Sequence, residues 1–309
     1  MLQRKDLLGL KDCTSAEIYE ILDEAAEMKK IILSGNKRSD ILSGKSLVTL
    51  FYENSTRTRS SFELAAKYLG ASEVNISVAT SSVQKGETLI DTGETLDAMH
   101  VDYIVIRHPM AGAPKLLAEH VKASVLNGGD GMHAHPTQAL LDMFTMREKL
   151  GKIEGLKVAI LGDIKHSRVA MSNLFGLTKL GASVHMYAPA TMIPKEIERL
   201  GARIACSREQ AVEGADVVMG LRIQLERQHG GLFPSLSEYA KYYGVNDGVL
   251  KYAKKNAVVL HPGPVNRGVE LTPQVIDGDS SLILQQVTNG VAVRMAILKL
   301  LKEYREKNL

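Results

Sequence analysis

The sequence predicts an α/β protein of two domains, each a parallel β-sheet flanked by helices, and three observations carry that expectation. Short apolar, β-branched runs alternate with stretches of helical spacing along the whole chain. The alternation stops at Gly151 and Gly155 and then begins afresh. A chain of 309 residues, 45% hydrophobic and 24% charged, is long enough for two cores of ordinary size.

Taken in order, the first helix opens at Thr14, which forms a capping-box pattern with Glu17 and leads Ile18, Ile21, Leu22, Ala25, Met28 and Ile32 along one face. Residues 47–52 (LVTLFY) read as a buried strand. The following helix carries Phe62, Leu64, Ala65, Ala66 and Leu69 and stops at Gly70, so the polar segment 54–59 falls at a strand-to-helix turn. Residues 74–78, 103–106 and 123–126 are further short strands, with 88–99 among the intervening helical or loop segments. Residues 136–150 have helical spacing through Leu140, Leu141, Phe144 and Leu150. Beyond the glycine break, 156–161, 183–187, 216–219 and 257–260 are strands alternating with helical stretches, the pattern of a parallel sheet with crossover helices. A last helix after Gly290 aligns Val293, Ala296, Ile297, Leu300, Leu301 and Tyr304. The expected domains are 1–150, including a linking helix at 136–150, and 151–309. The last helix, about 291–305, is expected to pack back on the first domain.

Composition narrows the functions. The 38 basic and 35 acidic residues are interspersed and leave a net charge of +3, so no basic arm or stripe marks a nucleic-acid footprint. Cys13 and Cys206 are far apart and lie in no CxxC or Cys/His grouping, which argues against a disulfide framework and a structural metal and fits a reducing compartment. Leu7, Leu8 and Leu10 are too short an apolar run for a signal peptide, and no stretch approaches the ~20 apolar residues of a membrane span. A cytoplasmic protein is expected. No repeat or low-complexity tract occurs, and neither GxGxxG nor GxxxxGK[ST] is present.

Three segments carry candidate chemistry. Ser55-Thr56-Arg57-Thr58-Arg59 puts hydroxyls and guanidinium groups at a helix start, where unpaired N–H donors and the helix dipole favour an anion such as phosphate. The same pentapeptide, taken alone, also fits a cap followed by solvated arginines. His135-Pro136-Thr137-Gln138 sets a possible carbonyl donor and an amide beside an early-helix proline, although such a histidine is as readily a capping residue; His133 has the weaker claim. Arg107 follows a strand at the carboxyl end where α/β sheets hold ligands, or is a strand-terminal surface charge.

In order, spacing and letters, these segments resemble the aspartate/ornithine carbamoyltransferase family. The resemblance implies that Ser55, Thr56, Arg57, Thr58, Arg107, His135 and Gln138 bind carbamoyl phosphate, with Thr58, Arg107 and His135 at the carbamoyl oxygen as the catalytic set. In the second half, Gly162-Asp-Ile-Lys-His-Ser-Arg168, Leu221-Arg222-Ile-Gln224 and His261-Pro-Gly-Pro264 are similar to the aspartate branch. The His-Cys-Leu-Pro segment of the ornithine branch is absent. A substrate with two carboxylates calls for cationic groups, ornithine for acidic ones. The resemblance therefore implies that Arg168, Arg222, Gln224, Gly263 and Pro264 contact aspartate, together with Lys85, and less firmly Ser82, from a loop that enters a neighbouring subunit's site.

The implied activity is transfer of the carbamoyl group of carbamoyl phosphate to L-aspartate, an early step of de novo pyrimidine biosynthesis. No cofactor or metal is called for. The implied assembly is a homotrimer with shared sites, with separate regulatory chains as a further partner left open; neither nucleic acid nor membrane is expected. A carbamoyltransferase for another amine and an inactive scaffold are the alternatives. Two departures from the family pattern occur: Asn54 stands where many relatives have proline, and Gln84 where some have a second lysine.

Overall fold

The computed structural model describes residues 2–77, 86–224, 233 and 235–308. They form two compact units, Met1–Leu141 with Val287–Leu309, and Asp142–Gln286. The first division, between Leu141 and Asp142, falls within the helix Pro136–Leu150.

In the first unit α1 (Ser15–Leu33) starts on a complete capping box: Glu17 N–H donates to Thr14 Oγ1 at 3.2 Å and Thr14 N–H to Glu17 Oε2 at 2.9 Å. It is followed by β1 (Ser46–Phe51), α2 (Thr56–Tyr68), β2 (Ser72–Ser77), α3 (Leu89–Ala98), β3 (Tyr103–His108), α4 (Ala113–Ala118) and β4 (Ser124–Asp130). The strands are parallel in the order β2-β1-β3-β4. Val48, Leu50, Ile104, Ile106 and Val125 from the strands join Leu96 of α3 and Leu117 of α4 in one core. Before α1, the chain around Leu7 bridges to β4, with Leu7 N–H donating to Val125 O and Asn127 N–H to Leu7 O, both at 2.9 Å.

Next come α5 (Pro136–Leu150), β5 (Lys157–Leu161), α6 (Arg168–Lys179), β6 (Ser183–Tyr187), β7 (Ala202–Ile204), α7 (Arg208–Val212), β8 (Val217–Gly220), α8 (Leu236–Tyr243), α9 (Asp247–Leu250), β9 (Val258–Leu260), α10 (Pro273–Asp277) and α11 (Ile283–Asn308). The second unit's parallel sheet has the order β7-β6-β5-β8-β9. Its core joins Ala159, Leu161, Val218 and Val259 to Val212, Val249, Leu271 and Val275.

Each sheet reverses direction once. From β1 the chain moves outward to β2 and returns to β3 on the other side of β1; from β5 it moves out through β6 and β7 and returns to β8. The carboxyl ends of β1 and β3, and of β5 and β8, are therefore topological switch points, where the diverging connections leave a crevice for a ligand.

Two local expectations change, and one strand was not foreseen. Arg107 lies inside β3, not after it: its register partner is Phe51, and its carbonyl accepts from Tyr52 N–H at 2.8 Å. The last helix starts at Ile283, well before Gly290. That glycine is a packing residue, because a Cβ there would lie 2.7 Å from Arg294 Nη1 and 3.2 Å from Leu141 Cδ2. The edge strand β7, only three residues long, had too little alternation to be read. Among the described residues no helix is long and apolar enough to cross a membrane.

Candidate active site

At the first unit's switch point, α2 begins at Thr56 with Ser55 as its N-cap residue, yet the Ser55 side chain makes no capping hydrogen bond. Its Oγ instead accepts from Arg107 Nη1 at 3.3 Å. The simple cap reading of this hydroxyl therefore fails. Arg107 is largely buried and also donates through Nε to Glu53 Oε2 at 3.1 Å, so the carboxylate and the hydroxyl fix its guanidinium between β1 and β3. Thr56 and Arg57 are exposed on the first turn of α2, and Thr58 is buried. Arg59 lies 3.6 Å from Glu63 one turn along the helix. Hydroxyls, a guanidinium and a helix N-terminus thus gather where an anion is favoured electrostatically.

His135 and Gln138 start α5, just after β4, the strand next to β3. Both are buried, and the His135 carbonyl accepts from Gln138 N–H at 3.1 Å, closing the helix's first turn. The loop before them is organised by Asp130, which is fully buried. Its Oδ1 accepts from Asn127 Nδ2 at 2.8 Å and Ala134 N–H at 3.0 Å, and its Oδ2 from Gly112 N–H at 2.8 Å. His133 is largely exposed, with Nδ1 2.9 Å from the same carboxylate. His108 stacks tilted on Tyr52 with ring centroids 4.6 Å apart, and burial holds its imidazole below the usual pKa, favouring the neutral ring. Thr137 Oγ1 accepts from Arg294 Nη2 at 3.2 Å, and the Arg294 guanidinium lies 4.9 Å from the Phe62 ring centroid, linking α11 to both α5 and α2.

At the second unit's switch point the backbones approach closely. Leu221 N–H donates to Leu161 O at 2.7 Å, and a Cβ on Gly162 would lie 2.5 Å from Leu221 O, at a φ of +133°. Only glycine fits there. Arg168 is the first residue of α6 and is buried, behind a Ser167 cap that accepts from Ala170 N–H at 3.2 Å. Arg222 Nη2 donates to Gln224 Oε1 at 3.2 Å, so these two side chains form a pair.

Two buried acids hold this pair's backbone. Asp163 Oδ2 accepts from Gln224 N–H at 3.2 Å, while its Oδ1 lies 2.7 Å from His166 Nδ1. Glu270 Oε1 accepts from Ile223 N–H at 2.9 Å and from Asn266 Nδ2 at 2.7 Å, and its Oε2 accepts from Asn266 N–H at 2.9 Å. Burial pushes the Glu270 carboxyl up despite these donors. Gly263 and Pro264 follow β9, joined by a cis peptide bond, and Gly263 N–H donates to His261 Nδ1 at 2.8 Å.

The structure therefore joins Ser55 directly to Arg107 and Arg222 directly to Gln224. Of the other candidates, His135 and Gln138 follow β4, the neighbour of β3 in the first unit, while in the second unit Arg168 follows β5 and Gly263 and Pro264 follow β9, the strands on either side of β8. Lys85 and Ser82, like Gln84, lie outside the described residues. Glu53, Asp130, Glu270 and Arg294 were not found by sequence reasoning. Arg294 alone left a signal, a charge set into the apolar run VAV-R-MAIL of a helix; the three acids sit in segments without periodicity. Among the described residues no group of three or more His, Cys, Asp or Glu side chains could hold a metal ion.

Comparison with known proteins agrees with a chain of two parts. The sequence profile of the aspartate/ornithine carbamoyltransferase carbamoyl-P binding domain matches residues 5–148, and that of the Asp/Orn binding domain matches residues 154–301. The chain is 64% identical over 300 residues to the aspartate carbamoyltransferase catalytic subunit of Ruminiclostridium cellulolyticum, covering 97% of this chain and 96% of that one. Its fold is similar to aspartate transcarbamoylase from Trypanosoma cruzi in complex with carbamoyl phosphate (TM-score 0.85, 33% identity, 96% of each chain). It is equally similar to ornithine carbamoyltransferase from Pyrococcus furiosus (TM-score 0.86, 32% identity, 95% of each chain). Fold alone therefore does not separate the two acceptors.

Proposed function

The chain belongs to the aspartate/ornithine carbamoyltransferase family, and on that basis we propose that it carbamoylates the amino group of L-aspartate with carbamoyl phosphate, releasing phosphate and N-carbamoyl-L-aspartate, as an early step of de novo pyrimidine synthesis in the cytoplasm. The observation that carries the choice of acceptor is the state of the acids in the second unit. Asp163 and Glu270 accept hydrogen bonds from Gln224, Ile223 and Asn266. Among the described residues, these two acids hold the backbone around Arg222 rather than standing as an anionic socket for the side-chain amine of ornithine. Arg168, Arg222 and Gln224 supply the donors that two carboxylates require. The 64% identity to a relative named for aspartate supports the same choice.

In the reaction, the phosphate of carbamoyl phosphate binds at the start of α2 through Ser55, Thr56, Arg57 and Thr58, and Gln138 bonds the carbamoyl amide. The unprotonated amine of aspartate attacks the carbamoyl carbon, and the carbonyl oxygen gains negative charge. Thr58, Arg107 and His135 donate to that oxygen and stabilise the tetrahedral state as an oxyanion hole does. The bond to the phosphate oxygen then breaks and the attacking nitrogen sheds a proton, which the departing phosphate is able to take, so no covalent enzyme intermediate is needed. Glu53 and Ser55 keep the Arg107 guanidinium oriented before substrate arrives, which removes reorganisation from the barrier. Backbone groups of Gly263 and Pro264 lie close to the bound substrates in this reading.

The assembly in this reading is a homotrimer in which Lys85 completes a neighbouring subunit's site, supported by the family resemblance of its segment. Hybrids of a Lys85→Ala chain and an Arg57→Ala chain recover activity if that is so, and stay inactive if each site is confined to one chain. The reaction itself is tested by supplying the purified chain with carbamoyl phosphate and either L-aspartate or L-ornithine, without metal or nucleotide. Product from aspartate alone is expected. Product from ornithine alone overturns the acceptor, and none from either supports a scaffold.

A further inference from the structure

We infer that Asp142 is the positioning residue of the aspartate site, holding two of its segments in register through one buried carboxylate; this rests on the proposed aspartate reading. Asp142 belongs to α5 and is completely buried. Its Oδ2 accepts from Asn173 Nδ2 at 2.8 Å, and its Oδ1 from Gln286 Nε2 at 2.7 Å. Asn173 is on α6, whose first residue is Arg168. Gln286 passes the connection on: its Oε1 accepts from the backbone N–H of His261 at 2.9 Å, and His261 Nδ1 in turn accepts from Gly263 N–H at 2.8 Å. A single carboxylate thus fixes both the helix that presents Arg168 and the turn that presents Gly263 and Pro264.

Burial and polarity together favour this role over simple core filling. Asp142, Asn173, Gln286 and His261 are each at most 3% exposed, and two amides, an imidazole and a carboxylate in an apolar interior are costly unless the hydrogen bonds are made. The donor and acceptor sense is also fixed. Asn173 and Gln286 both reach Asp142 through amide N–H donors, so Gln286 turns its oxygen to the His261 backbone N–H, and the Gly263 N–H aimed at His261 Nδ1 places that ring's proton on Nε2. Aliphatic side chains of equal volume would fill the space without setting that register. Asp142 touches no reacting atom in this account and acts only through Arg168 and the 261–264 turn.

The connection has a complementary exchange, which makes the test specific. In Asp142→Asn the new amide N–H₂ faces either the Gln286 or the Asn173 donor, and in Gln286→Glu two carboxylates meet. When the two changes are combined, the amide introduced by Asp142→Asn donates to the carboxylate introduced by Gln286→Glu. The amide oxygen still accepts from Asn173, and the second carboxylate oxygen still accepts from His261. The hydrogen bonds from Asn173, between positions 142 and 286, and from His261 are all restored, as is the net charge.

The experiment measures KM for aspartate, KM for carbamoyl phosphate and thermal midpoint for wild type, the two single variants and the double variant. Each single variant is expected to raise KM for aspartate about tenfold, the equivalent of the roughly 1.4 kcal/mol of one mismatched buried hydrogen bond, with KM for carbamoyl phosphate within about twofold. The double variant is expected to return within about threefold of wild type. Should a single variant not fold, the double variant and the other single variant still give the comparison. Unchanged aspartate KM in the singles, equal rises for both substrates, or a double variant as impaired as the singles overturns the inference. Wild-type turnover on aspartate is the control for the reading beneath it: its absence removes that reading, whereas its presence with any of those three outcomes removes the inference alone.

Discussion

Arg107 Nη1 donates to Ser55 Oγ at 3.3 Å across 52 positions of sequence, while its Nε donates to Glu53 at 3.1 Å. The contact exists because β1 and β3 are parallel neighbours that end together at the switch point, so the residues following one strand meet those closing the other. The serine that would ordinarily cap α2 is thereby turned to an arginine, and the helix N-terminus is left without that cap.

Removing a donor from the proposed carbamoyl phosphate site should affect turnover more than stability. Arg57→Ala and His135→Ala are each expected to lower kcat by on the order of a hundredfold or more, by comparison with oxyanion-hole deletions generally. Steady-state rates at saturating aspartate check this. Near-normal turnover in either variant defeats the assignment.

Glu53 should act through Arg107. In Glu53→Gln the guanidinium loses its charged partner, and KM for carbamoyl phosphate is expected to rise by about a factor of five, equivalent to ~1 kcal/mol. Initial-rate measurements against carbamoyl phosphate decide it. An unchanged KM would mean that the Glu53 carboxylate is not needed to orient Arg107.

The close approach at Gly162 makes a sharper stability prediction. A methyl group there meets the Leu221 carbonyl at 2.5 Å, and φ is +133°, so Gly162→Ala is expected to cost on the order of 3 kcal/mol and to raise KM for aspartate as β5 and β8 are forced apart. Urea unfolding with parallel kinetics would show both effects. A variant as stable as wild type contradicts the packing described here.

Acid sensitivity follows from Glu17. Burial alone would raise its carboxyl, but hydrogen bonds from Arg4 and from the Thr14 backbone outweigh burial and hold the pKa at about 2. A folded pKa below the unfolded one contributes stability that is full above the ordinary carboxylate range and is lost as pH falls through it toward about 2. The urea midpoint of Arg4→Met should therefore lie below wild type at pH 7, and the gap should close on acidification. A gap independent of pH would point to packing of the arginine stem instead.

Much of the fold was legible because its signals are local. The Thr14–Glu17 capping box, the runs that became β1, β5 and β6, and the arrest at Gly70 depend on residues a few positions apart. The candidate motifs were legible for the same reason, since Ser55 to Arg59 and His135 to Gln138 are contiguous. Gly290 misled because a packing glycine and a helix-boundary glycine look alike until Arg294 and Leu141 are seen beside it.

The sequence by itself determined which residue types stand at each strand end, and hence the family and the class of chemistry. Tertiary structure alone decided which of them meet. Strand order brought Ser55 to Arg107, and burial made Asp130, Asp142, Glu270 and Arg294 supports for the site rather than surface charges. The physical reason is that a buried polar group must find its partner wherever the chain's path supplies one, and that path, not the spacing of letters, sets Asp142 against Gln286 across 144 positions.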